Sequence, residues 1–173
     1  MKRAFYVTIL SVGITILTVS SVLAQVDGFR GIKWGTEFST VESEMTYVRT
    51  DPSYGGINLY SNLGDELKIG AAELMSIQYG FWQNRFSNVV ILFEGFTNFT
   101  AVRDSAFERF GRGHQPNRYI QRYFWLNNSA GKIQIEYSEG SRRGHMYLAS
   151  TQISAEQERF NKNKAKSGAE SGF

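Results

Sequence analysis

The sequence predicts an α+β fold, an antiparallel sheet with helices packed on one face, built as two tandem helix-plus-strands repeats. Three observations carry this. Phe86 to Glu94, "FSNVVILFE", is β-branched and aromatic on both of its faces, as a central strand covered on each side is. Phe99, Val102, Ala106 and Phe110 fall at helical spacing on one stripe. Finally, three short matches recur in the same order: Phe29-Arg30-Gly31 with Phe93-Glu94-Gly95, Phe38-Ser39-Thr40-Val41 with Phe99-Thr100-Ala101-Val102, and Ile77-Gln78-Tyr79 with Ile135-Glu136-Tyr137. Their offsets of 64, 61 and 58 residues are nearly constant, which is what two copies of one unit produce.

The elements follow in chain order. Lys2 and Arg3 precede an uncharged run, Ala4 to Leu23, that ends at Val22-Leu23-Ala24. A basic start, an apolar middle and small residues at the exit make residues 1–24 a secretory signal peptide cleaved after Ala24, with an uncleaved membrane anchor as the rival reading. Residues 25–153 then form one α+β domain, with repeats at 29–92 and 93–153, and residues 154–173 a polar C-terminal helix and disordered tail.

Within the domain, Phe29-Arg30-Gly31 reads as an entry turn and Trp34 as a core plug. Ser39-Thr40-Val41-Glu42 has the form of a capping box and predicts a short helix from Thr40 to Met45. Strands are expected at Ile57 to Ser61, Glu66 to Ala71 and Leu74 to Phe81, with Trp82-Gln83-Asn84-Arg85 as the reversal into the central strand. Asn98 or Thr97 caps the second helix and Gly111 ends it. Tyr119 to Leu126 is a strand and Asn127 to Gly131 a turn. Lys132 to Tyr137 alternates, with Ile133, Ile135 and Tyr137 inward and Lys132, Gln134 and Glu136 outward. Gly144 to Thr151 is the last strand, and Ser154-Ala155-Glu156-Gln157 caps a helix running to about Lys164.

Composition narrows function by exclusion. The chain has no cysteine, so an exported domain of roughly 150 residues must hold itself by packing alone, which that length permits. Removing Lys2 and Arg3 from the 19 basic side chains leaves 17 against 16 acidic ones. Such a balance offers no long-range field for phosphate backbones, so nucleic acid is not an expected partner. Two histidines, His114 and His145, without metal-ligand spacing predict no metal site, and no cofactor-binding pattern is present. No serine sits in a nucleophile elbow, so no catalytic residue is assigned.

The opening Phe29-x-Gly31-Ile32-x-Trp34-Gly35, followed by a capped short helix, resembles the start of small exported bacterial proteins of unknown function, and that resemblance implies export without implying an activity. The tandem helix-plus-strands layout is similar in outline to the β-lactamase inhibitor protein fold, whose two repeats present a concave sheet to a protein partner. That family's usual disulfides have no counterpart in a chain without cysteine.

Two features rise above background. Tyr119, Tyr123 and Trp125 share one strand face by period-two spacing, with Tyr147 on a strand expected nearby. Ile120, Phe124 and Leu126 make an alternative core set on the opposite face, so whether the aromatic face is core or surface stays open. A basic group, including Arg122, Arg142, Arg143 and His145, can converge at the sheet edge. The expected function is an exported, non-catalytic binding module, periplasmic or secreted, with no membrane span after cleavage. It would recognise a protein or an anionic cell-envelope ligand through Tyr119, Arg122, Tyr123, Trp125, Arg142, Arg143, His145 and Tyr147. The alternatives are a carboxylate-based hydrolase acting on envelope polymers and a structural envelope subunit.

Overall fold

In a computed structural model of the chain, the described residues are 26–125 and 131–172. Residues 1–24, expected to be a signal peptide, and most of the turn expected at Asn127 to Gly131 therefore lie outside them. A small ribbon opens the fold, β1 (Gly28–Phe29) against β2 (Ile32–Lys33). The turn between them needs positive φ at two positions, Arg30 at 47° and Gly31 at 84°, as a tight two-residue hairpin does. The "FRG" stretch is thus punctuation. Trp34 packs on Phe86 with ring centroids 4.8 Å apart and donates from Nε1 to the Val26 carbonyl at 2.7 Å.

Seven strands form the main sheet: β3 (Met45–Asp51), β4 (Ile57–Asn62), β7 (Ser76–Trp82), β8 (Arg85–Glu94), β9 (Gln121–Trp125), β10 (Gly131–Ser138) and β11 (Arg143–Ser150). Their order is β3-β4-β7-β8-β11-β10-β9, and every pairing is antiparallel. From the central β8·β11 pair outward, β8-β7-β4 on one side mirrors β11-β10-β9 on the other, and β3 adds a further edge strand. A second small ribbon, β5 (Lys68–Ile69) with β6 (Ala72–Glu73), lies between β4 and β7 in the chain.

The large core lies on one face. Val89, Ile91 and Phe93 of β8, Ile77 and Tyr79 of β7, Met146 and Leu148 of β11 and Ile133 and Ile135 of β10 alternate onto it. Helix α1 (Phe96–Phe110) covers them with Phe99, Val102, Ala106 and Phe110, the four residues whose spacing marked the stripe. Gly111 follows α1 at φ 76°, a left-handed exit that suits glycine. A smaller cluster, Ile57, Leu59, Trp82 and Ile153, forms on the reverse face, since Ile57 and Leu59 alternate with Asn58 and Tyr60. There the first turns of α2 (Thr151–Gly172) dock, with Arg85 bonded to Glu156 at 2.5 Å and Phe160 edge-on to Trp82 at 6.0 Å.

Local expectations fail where tertiary pairing outweighs them. The helix expected from Thr40 to Met45 is two separate 3₁₀ turns, Phe38–Thr40 and Glu42–Glu44, with no side-chain cap. Six residues are too few to offset helix nucleation, and from Met45 onward the chain gains a full ladder against β4 instead. The strand expected at Glu66 to Ala71 is broken by Gly70 at φ 56°, which turns β5 into β6. At α1 neither Thr97 nor Asn98 caps; Gly95 takes that place, and Asn98 bonds back to the Glu94 carbonyl while accepting from the Glu73 amide. At α2 the capping hydroxyl belongs to Ser150, which accepts from the Ile153 amide at 3.2 Å, whereas Ser154 is buried within the helix. The helix continues to Gly172, through the stretch expected to be a disordered tail.

Candidate functional site

The aromatic pattern that marked β9 belongs to the core. Tyr123 and Trp125 face α1 and are each 8% exposed, with Phe107 edge-on to Tyr123 at 5.4 Å and Phe110 edge-on to Trp125 at 6.5 Å. Trp125 Nε1 donates to the Gly111 carbonyl at 2.7 Å, so its one polar atom is met internally. Tyr119 is 77% exposed, outside the strand, with Arg118 donating to its hydroxyl. Of the alternative core set, Ile120 is exposed, Phe124 is half-buried on the reverse face, and Leu126 lies outside the described residues.

Strand register brings the remaining residues together on that reverse face, in rows running across the sheet. The first row is Ser138, Arg143 and Glu94. The second is Arg122, Glu136, His145, Leu92 and Ser76. The third is Phe124, Gln134, Tyr147, Val90 and Gln78. All ten residues of the second and third rows are half-buried, neither core nor fully solvated. Four of the eight residues expected at the site, Arg122, Arg143, His145 and Tyr147, sit in these rows. Arg142 lies in the β10–β11 turn at φ 56°, where its carbonyl accepts from the Gly95 amide. Tyr119, Tyr123 and Trp125 do not join them.

Electrostatically the face is mixed. Arg122 forms an ion pair with Glu136, and that bond holds the Glu136 carboxyl below the ordinary carboxylate range. Gln134 also donates to Glu136, and the positive field of His145 acts in the same direction as Arg122. Arg143 stands across from Glu94 in the first row. Burial pushes the Tyr147 phenol up to about 12, so it is a neutral hydrogen-bonding group at physiological pH. Two polar atoms on this face, Gln78 Oε1 and Arg122 Nε, are buried without a hydrogen-bond partner.

Glu136 and Phe124 are the residues that sequence reasoning missed. Glu136 read as the solvated side of an alternating strand and Phe124 as core; only the β9·β10 register, which sets Arg122 opposite Glu136 and Phe124 opposite Gln134, reveals their neighbours. The second histidine, His114, is used through its backbone: its amide and carbonyl bond Phe124 at 2.8 and 2.9 Å, closing the outer edge of β9. Among the described residues no group of three or more His, Cys, Asp or Glu side chains is placed to hold a metal ion. No helix among them is long and apolar enough to cross a membrane. No known protein family, curated protein sequence or solved structure matches the chain.

Proposed function

We propose that the chain is an exported, non-catalytic interaction module that recognises a protein partner through the reverse face of its sheet. The observation that carries this is the pair of cross-strand rows centred on Glu136, His145, Gln134 and Tyr147, half-buried and holding two unmet polar atoms. A polyanionic envelope ligand would need an excess of unpaired cations. Here Arg122 is bonded to Glu136, and the second and third rows hold no other arginine or lysine. Alternating charges interspersed with Phe124, Tyr147, Val90 and Leu92 suit another protein surface, where such charges fix register and exclude wrong partners more than they add affinity.

Export rests on the basic start and apolar run of residues 1–24. The same reading takes the domain as two tandem units, 29–92 and 93–153, supported by the collinear sequence matches and by the mirrored strand order about β8 and β11.

Charge reversal at Glu136 tests the reading. Glu136→Lys places two cations side by side on β9 and β10 without touching the core. Chemical crosslinking in the exporting cell should give a discrete adduct with the wild-type chain, and Glu136→Lys should abolish it while near-ultraviolet circular dichroism stays unchanged. An adduct that persists undiminished in the folded variant would refute recognition through this face.

A further inference from the structure

On the opposite side of the sheet, a cavity of about 500 Å³ opens between α1, the β1–β2 ribbon and the β5–β6 ribbon. Its size falls within the roughly 300–1,000 Å³ of small-molecule sites. The floor is apolar and deeply buried: Val102 at 0%, Ala106 at 3% and Phe110 at 9% exposure from α1, Met146 at 4% and Leu148 at 3% from β11. The rim is polar, carrying Arg30, Arg109, Ser105 and Asp27.

Two glycines in the wall lie against close neighbours. Gly70 approaches Ser105 so closely that a Cβ there would lie 2.4 Å from the hydroxyl, and a Cβ on Gly28 would lie 2.1 Å from the Ile32 carbonyl oxygen. Gly70, at positive φ, thus meets α1 through bare backbone, whereas the close approach at Gly28 is to β2 of its own ribbon.

The two rim arginines are held differently. Arg30 is pinned, donating to Asp65 at 2.8 Å and to the Lys68 carbonyl at 2.9 Å. Asp65 in turn accepts from the Tyr79 hydroxyl at 2.8 Å and does not line the cavity. Arg109, in the last turn of α1, forms no ion pair among the described residues and lies against its neighbour Phe110, 5.5 Å from the ring centroid. With Arg30 neutralised by Asp65, Arg109 is the rim cation with no ion pair among the described residues, and Asp27 is the carboxylate that shares the rim with it.

We infer that this cavity binds a single-chain amphiphile: an apolar tail lies on Val102, Ala106, Met146 and Leu148, and an anionic head, carboxylate or phosphate, meets Arg109 at the rim. One aliphatic chain matches the volume and the apolar floor, and a guanidinium is the side chain suited to an oxyanion head. This site is separate from the reverse face and does not depend on the function proposed for that face.

Dodecanoate, dodecanol, dodecyltrimethylammonium and phosphatidylglycerol vesicles, each titrated into purified protein under methyl-resolved NMR, test the inference. Dodecanoate should saturate at one per chain and shift the methyl signals of Val102, Ala106, Met146 and Leu148. Arg109→Glu should weaken dodecanoate about tenfold, the worth of one charge-assisted contact, and leave dodecanol within about twofold. Ala106→Leu, which adds bulk to the floor, should weaken both. The wild-type shifts stand as evidence even if that variant folds poorly. Absence of shifts at these four residues, equal binding of the cationic amphiphile, or shifts produced by vesicles but not by monomeric dodecanoate would each overturn the inference.

Discussion

The two faces of the sheet use apolar side chains to different ends. On the α1 face, aromatic rings meet other rings: Phe99 is stacked on Tyr137 at 5.0 Å and on Phe93 at 6.4 Å, and tilted toward Tyr123 at 6.4 Å. On the reverse face the apolar residues Phe124, Tyr147, Val90 and Leu92 are separated by Gln134, His145, Glu136 and Gln78, and α2 docks at the end that holds Ile57, Leu59 and Trp82, with Glu158 paired to Lys132 of β10. A residue's contribution therefore depends on which face the register assigns it, more than on its type.

Substitutions sharpen this contrast, beginning with the largest effect. Phe99→Ala removes a side chain that is 0% exposed and leaves a cavity beneath α1; it should cost about 3–5 kcal/mol in chemical denaturation. Phe124→Ala on the other face should cost about 1 kcal/mol or less, because that ring keeps part of its surface in water. Equal losses for the two would erase the distinction. Trp125→Phe, which retains most of the buried ring but leaves the Gly111 carbonyl without its indole donor, should cost about 1–2 kcal/mol by the same measurement. Ser150→Ala, removing the hydroxyl that caps α2, should cost about 1 kcal/mol.

The smallest effect is electrostatic. Arg122 lowers the folded-state pKa of Glu136, so the pair contributes stability above the ordinary glutamate value of about 4.3 and loses it as pH falls through the lower folded value. Melting temperature measured downward from pH 6 should therefore fall less steeply in Arg122→Gln than in the wild type. Parallel curves would show that the pair is too well solvated to matter.

What was legible in the sequence tracks how local the deciding interaction is. The α1 stripe, the Gly111 exit, the alternation of Ile133, Ile135 and Tyr137, and the strand around Val89 were all readable, because each is fixed by periodicity within about fifteen residues. Met45–Asp51 was not, since its strand state comes from pairing with β4 and its neighbours carried the form of a helix cap. The orientation of β9 was not readable either. Its two faces, Tyr123 with Trp125 and Phe124 with its neighbours, are almost equally apolar, and the choice is made by Phe107 and Phe110 arriving from α1. For the candidate site, Arg122, Arg143, His145 and Tyr147 were foreseeable as a basic and aromatic group. Glu136 needed the three-strand register that sets it between Arg122 and His145.

The division of labour between the faces is tested most directly by a photoreactive amino acid placed, in separate chains, at Phe124 on the reverse face and at Phe96, which is 52% exposed at the start of α1. Irradiated in the cell that produces it, the chain labelled at 124 should form a discrete adduct that Glu136→Lys removes, and the chain labelled at 96 should form none. An adduct from position 96 alone, or one from position 124 that ignores Glu136→Lys, would contradict the assignment of recognition to the reverse face.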